Sequence, residues 1–362
     1  MHIRFFRETL QEWNKAENSR QMPWKGEKDP YKIWLSEIIL QQTRVEQGWE
    51  YYERFIYVFP AIQDLAGAPD ESVFKLWEGL GYYSRCKNLL ETARYITREK
   101  KGQFPSAYED ILSLKGVGPY TAAAIASFAF GLPHAVVDGN VLRVLSRYFG
   151  IAIPIDTGEG KSKLTGLADK CLDLEAPGPY NQALMDFGAV VCKPANPGCD
   201  TCPLSGKCIA FKEGKVGILP IKSKKIIRRD RFLIFLIAEY NGEIYIRKRT
   251  GKDIWENLFE FIIHEVKDTA REWKDYRHLL KTPWFLELTG NLPYSVLSAS
   301  AVYRQLLTHQ QVHARFIRIS LSGALPDPGE YQPVPAAGLA NFAFPRLLND
   351  YLSSPQHQSA LF

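Results

Sequence analysis

From the start of the chain to about position 212, apolar residues return every three or four positions with polar residues between them. That is the period of successive amphipathic helices. "DPYKIWLSEIILQQTRVEQGWEYYERF" opens with Asp29 as an N-cap and Pro30 at the first helical position. "ESVFKLWEGLGYYSRCKNLLETARYI" and "SAYEDILSLKGVGPYTAAAIASFAF" share one layout: helix, Gly-x-Gly break, helix. The breaks are Gly79-Leu80-Gly81 and Gly116-Val117-Gly118, and the second places a helical hairpin at about 106–130. "DGNVLRVLSRYFG" and "GPYNQALMDFGAVVC" continue the helical pattern.

The pattern then changes twice. Residues 213–230, around "EGKVGILPIKSKKIIRRDR", are basic, lack helical periodicity and contain Pro220, which predicts a solvated linker. After it, "RFLIFLIAEYNGEIYIRKR" reads as two strands around the hairpin turn Asn241-Gly242. "HARFIRISLSG" predicts another strand and "FPRLLNDYLSS" a closing helix. The expected fold is therefore an all-α region over 1–212, a linker over 213–230 and a smaller α/β domain over 231–362.

With 362 residues, two or three domains are the prior, and 46% hydrophobic against 23% charged residues describes a globular chain. There is no uninterrupted apolar run of about 18 residues and no signal-peptide pattern in "MHIRFFRETLQEW", so the expectation is a cytoplasmic protein with no membrane partner. The net charge of +5 barely favours nucleic acid by itself.

Two carboxylates stand out. Glu37 shares a helical face with Ile33, Trp34 and Gln41, and a carboxyl partly removed from water is harder to ionise, as a general acid must be. Asp138 ends the apolar run "HAVVD" where a helix begins, a position that favours a negative charge. The expectation is that their pKa values are pushed in opposite directions, a division that suits cleavage of a glycosidic bond through a cation-like transition state. Gly116, Val117 and Gly118, followed by Pro119, form a tight turn whose next helix offers free N–H groups to a phosphate.

Four of the six cysteines lie in "CKPANPGCDTCPLSGKC", with spacing C-x6-C-x2-C-x5-C. Structural disulfides are rare in the expected compartment. Thiolate softness suits zinc and an iron–sulfur cluster equally, so the residues alone leave those two open. Cys86 and Cys171 fall outside the pattern and read as small buried residues.

Taken in order, "MPWKGEKDPYKIWLSEIILQQTRVE", "GLGYYSRCKNL", "LKGVGPYTAAAI", "VVDGNVLRVLSR", "NQALMDFGA" and the four-cysteine loop resemble the helix–hairpin–helix DNA glycosylases, specifically the adenine-specific mismatch glycosylases. The match covers almost all of residues 20–208. It implies a [4Fe–4S] cluster on Cys192, Cys199, Cys202 and Cys208, with a structural and DNA-positioning role. It implies that Glu37 protonates the adenine leaving group at N7. Asp138 would stabilise the oxocarbenium-like sugar, with Tyr120 and Asn140 in support. Arg20, Met22, Trp24 and Gln182 would line the pocket for the flipped-out adenine, and Gln42 and Tyr82 would wedge into the base stack. The implied substrate is double-stranded DNA with A opposite 8-oxoguanine or G, acted on by a monomer.

Position 120 separates this family from relatives resembling endonuclease III, which carry a lysine there and nick the strand through a Schiff base. Here it is tyrosine, so the expected activity is base removal alone. That disfavours a bifunctional pyrimidine-damage glycosylase, and the joint presence of Glu37 and Asp138 disfavours a non-catalytic DNA binder. The C-terminal part resembles, more loosely, the Nudix-like recognition domain of these glycosylases, through "IWENLFEFI" and "LLTHQQVHARF". "TAREWKDYRHLL" lacks the paired glutamates of a Nudix hydrolase, so pyrophosphatase activity is not expected. Leu307-Thr308-His309 correspond to a Phe-Ser-His loop that reaches the base opposite adenine, with leucine in place of the aromatic.

Overall fold

The computed structural model describes residues 2–223 and 227–354. The linker positions 224–226 and the end of the C-terminal domain beyond 354 lie outside the described residues. The described chain has the expected all-α region followed by an α/β domain.

In chain order the helical part comprises α1 (His2–Ala16), α2 (Pro30–Leu40), α3 (Val45–Val58), α4 (Ile62–Gly67), α5 (Asp70–Trp77), α6 (Ser84–Glu99), α7 (Tyr108–Leu112), α8 (Pro119–Phe130), α9 (Gly139–Tyr148), α10 (Gly158–Cys171), α11 (Pro177–Val190) and α12 (Ile209–Lys212). Two compact units result, and they do not follow chain order. Pro69–Cys86 groups with the C-terminal part, and the other helical residues form the first unit. Long-range bonds explain this regrouping of α5 and the turn after it. Glu71 pairs with Lys248, Lys75 donates to the Phe342 carbonyl, and Glu78 accepts from the Phe344 N–H. No local periodicity could report them.

In the first unit, α2 starts as expected: Asp29 accepts from the Tyr31 N–H, and Pro30 occupies N1. Tyr31 and the whole run from Ile33 to Ile39 are buried, so this is a helix covered on all sides rather than a half-exposed one. Between α2 and α3 the chain turns at Gln42, whose φ is 59°. Small residues let α8 approach α2 closely. Ala122, Ala123, Ala124 and Ala126 are buried, and Gln41 Nε2 donates to Thr121 Oγ1 at 3.2 Å. The hairpin turn between α7 and α8 needs its glycine, because Gly116 sits at φ 79° and a Cβ there would lie 2.8 Å from Asn88 Cβ. One core of this unit gathers Phe6, Leu10 and Trp13 of α1 with Val144, Leu145, Leu184 and Phe187 of α9 and α11.

The linker is not a free tether over its first part. Arg147 Nε donates to the Leu219 carbonyl, Ile155 N–H to the Ile221 carbonyl, and Ser223 N–H to Asp156.

The second unit is built on β1 (Arg229–Tyr240), β2 (Glu243–Lys248), β3 (Phe259–Val266), β4 (Tyr294–Ala299), β5 (Tyr303–Leu306), β6 (Gln310–Leu321) and β7 (Gln332–Pro335). The sheet order is β4-β6-β1-β3-β2-β7, with β5 also on β6. β1 and β6 are parallel and the remaining pairs antiparallel. Leu233 to Ala238 are all buried, as expected of a central strand covered on both faces. The turn joining β1 to β2 is Asn241-Gly242, both with positive φ. The "TAREWKDYRHLL" segment forms only a one-turn helix, α13 (Arg271–Lys274), and a 3-10 stretch.

Candidate active site

All eight residues expected to act on the sugar and the base line one cavity of about 400 Å³ in the first unit: Arg20, Met22, Trp24, Glu37, Tyr120, Asp138, Asn140 and Gln182. That volume falls in the range of small-molecule sites. Each residue is delivered by a different structural device. Glu37 hangs from the all-buried α2 and is itself buried. Tyr120 lies in the first turn of α8, immediately after the hairpin. Asp138 is the N-cap of α9, accepting from the Val141 N–H at 2.7 Å. Its other oxygen accepts from Asn140 Nδ2 at 2.6 Å.

Burial pushes the Glu37 carboxyl up to about 7, with the Asp138 charge adding to the shift and the Tyr120 hydroxyl, hydrogen-bonded to Glu37, opposing it. A carboxylic acid half-protonated at neutral pH is poised to give a proton away. The expectation for Asp138 needs correction. Its pKa is raised rather than lowered, because burial outweighs the stabilising bonds from Val141 and Asn140 and the nearby Arg143 charge. The helix N-terminus is there, but it is dry. The two carboxyls are therefore distinguished by their partners, not by the sign of their shifts.

Behind Asp138 runs a chain of bonds that no spacing revealed. Arg143 Nη2 donates to Asn140 Oδ1 at 2.8 Å and to the Gly188 carbonyl at 2.7 Å, while its Nε donates to the Cys192 carbonyl at 2.8 Å. Gly188 permits this: a Cβ there would lie 2.7 Å from Asn140 Cβ. The first cysteine of the loop is thus tied to the residue that holds Asp138.

Cys192, Cys199, Cys202 and Cys208 line one small cavity and form no disulfide. Among the described residues no group is drawn tightly enough to hold a single metal ion. Burial raises the Cys202 thiol to about 11, and burial with the charges of the other cysteines also raises Cys199 and Cys208. Four cysteines lining one cavity offer a set of soft sulfur donors that a cationic core could share. The donor set fits an iron–sulfur cluster.

The wedge candidates carry backbone strain. Gln42 and Tyr82 sit at φ 59° and 49°, in a region few non-glycine residues enter, and both are exposed. In the second unit, Leu307-Thr308-His309 form the tip of the β5–β6 hairpin, closed by the Leu307 N–H donating to the Gln310 carbonyl. The Tyr82 and Thr308 hydroxyls are hydrogen-bonded at 2.5 Å. One residue bonded to the cavity lining, through Arg20 and Gln182, escaped the sequence reading. Asp186, fully buried on α11, was signalled only by being a charge inside the apolar helix "NQALMDFGA".

A helical hairpin feeding a cavity with a buried acid and a capping carboxylate is the arrangement that the resemblance to helix–hairpin–helix DNA glycosylases implied. Residues 35–165 match the HhH-GPD superfamily of base excision DNA repair proteins, and residues 233–354 match the NUDIX domain. The chain is 38% identical over 273 residues to the adenine DNA glycosylase of Buchnera aphidicola subsp. Schizaphis graminum, covering 75% of this chain and 79% of that protein. It is 42% identical over 214 residues to the human adenine DNA glycosylase, covering 57% of this chain and 39% of that one. A thermostable thymine-DNA glycosylase structure superposes with a TM-score of 0.53 at 30% identity, covering 59% of this chain and 97% of that one. The chain belongs to the adenine DNA glycosylase family, and is an N-glycosylase of base excision repair.

Proposed function

We propose that this protein removes adenine from double-stranded DNA where it faces 8-oxoguanine or G, and that it leaves an abasic site without cutting the strand. The observation that carries this reading is the cavity itself, which holds a buried acid, a capping carboxylate and a lining able to enclose a purine. Adenine stacked in a duplex offers no access to its glycosidic bond, so it must be flipped out, with Gln42 and Tyr82 filling the gap. Glu37, held by the Tyr120 hydroxyl, protonates N7, and the C1′–N9 bond breaks with its electron pair leaving on the base. Asp138, oriented by Asn140, faces the cationic sugar until water adds at C1′. The hydroxyl of Thr308 and the ring of His309 read the opposite base.

Cys192, Cys199, Cys202 and Cys208 would hold a [4Fe–4S] cluster. When bound, it supplies a rigid, charged brace for the loop rather than chemistry at the sugar. Anaerobically purified protein should be brown and contain iron and acid-labile sulfide; zinc in place of iron would refute the assignment.

The test of the activity is single-turnover cleavage of a duplex with A opposite 8-oxoguanine, read with and without alkali. Strand breaks should appear only after alkali. The two lysines that line the cavity make this demanding. Lys25 is paired with Asp186 at 3.0 Å, and Lys28 donates to the Phe128 carbonyl at 3.0 Å. Efficient borohydride trapping lost on changing either lysine would overturn the monofunctional reading.

A further inference from the structure

Asp186 is 0% exposed and lies one helical turn beyond Gln182 on α11. Its oxygens meet four donors. Oδ1 accepts from Gln182 Nε2 at 2.9 Å and from Arg20 Nη1 at 2.8 Å. Oδ2 accepts from Asn18 Nδ2 at 2.9 Å and faces Lys25 Nζ at 3.0 Å. A carboxylate can take about four such bonds, so its capacity is full. A buried charge is tolerated only when satisfied in this way. Arg20, Lys25 and Gln182 all line the cavity, and nothing in the work of Glu37, Tyr120, Asp138 or Asn140 requires Asp186.

The consequence lies in the Gln182 amide. A glutamine side chain has a donating and an accepting end, and its partners decide which end faces outward. With one N–H of Nε2 committed to Asp186, the amide is held with Oε1 turned away from the carboxylate, so a ligand meets Oε1, which only accepts, beside the remaining N–H of Nε2. Turning the amide over would set Oε1 against a carboxylate oxygen, so the buried charge holds it one way. Adenine carries an amino donor at C6, whereas a 6-oxopurine carries an acceptor there. We infer that Asp186 is a positioning residue that fixes the Gln182 amide, so that the pocket accepts a 6-aminopurine and repels a 6-oxopurine. This rests on the reading of the cavity as the adenine pocket. A site built to hydrogen-bond one group discriminates strongly against an analogue that leaves its buried partner unpaired.

The test compares single-turnover release of adenine and of hypoxanthine, placed opposite the same base, with enzyme in excess and long time courses. Asp186→Asn puts an amide N–H2 against two donors and should lower the adenine-to-hypoxanthine rate ratio by at least about tenfold, mainly through adenine. Equal losses on both bases would mean that Asp186 only supports the fold. Gln182→Leu leaves the carboxylate and its three other donors in place and should lower the ratio as much, with no further fall in the double variant. An unchanged ratio in Gln182→Leu overturns the inference even if Asp186→Asn fails to fold. Wild-type protein that releases no adenine from any duplex would instead refute the proposed function, a distinguishable result.

Discussion

Glu37→Gln is expected to abolish adenine release in single-turnover assays while leaving duplex binding intact. The amide keeps the shape and still accepts from the Tyr120 hydroxyl, but it has no acidic proton to give. General acid catalysis contributes about 10²–10⁴-fold, so the loss should be at least of that order. The pH profile follows from the raised pKa. The useful form of Glu37 is the protonated one, so the wild-type rate should fall as pH rises through about 7. Stability moves the same way. A carboxyl whose folded pKa lies above its unfolded value contributes stability at low pH that is lost as pH rises through the folded value. At pH 8 the buried carboxylate is a burden, and Glu37→Gln should melt no lower than wild type in thermal denaturation. A variant that retains wild-type rates would remove Glu37 from the mechanism.

Asp138→Asn should be nearly as damaging, through charge rather than proton transfer. Losing one preorganised electrostatic stabiliser typically costs about 10²–10³-fold. The local network adds to the effect. One amide oxygen can still cap the Val141 N–H, but the new N–H2 then meets the Asn140 Nδ2 donor. Asn140 cannot turn over freely, because its Oδ1 accepts from Arg143. Because the Asp138 pKa is raised, the wild-type rate should also decline on the acid side as this carboxylate is protonated, giving a bell-shaped profile. Asp138→Asn should lose that acid limb together with the rate. Near-normal adenine release by Asp138→Asn would show that its charge is not what the sugar needs.

Local chemistry in the chain was enough to specify the elements around the site. Asp29-Pro30 starts α2, Gly118-Pro119 starts α8, Asp138 caps α9 and Asn241-Gly242 turns β1 into β2, because caps and turns depend on neighbouring dihedrals and donors. Residue types at fixed spacing also indicated the carboxylates and the cysteine loop. Only the folded chain decided what depends on distance through space. It made α2 buried on every side, and so raised Glu37 to about 7. It also dried out the N-terminus of α9, so that Asp138 is raised where a cap in water would be lowered. α5 joined the C-terminal unit through bonds to residues far along the chain, such as Phe342. Asp186 became the hub of Asn18, Arg20, Lys25 and Gln182, residues as many as 168 positions away. Periodicity is a property of neighbours, whereas desolvation and long-range hydrogen bonds arise only when distant segments exclude water from one another.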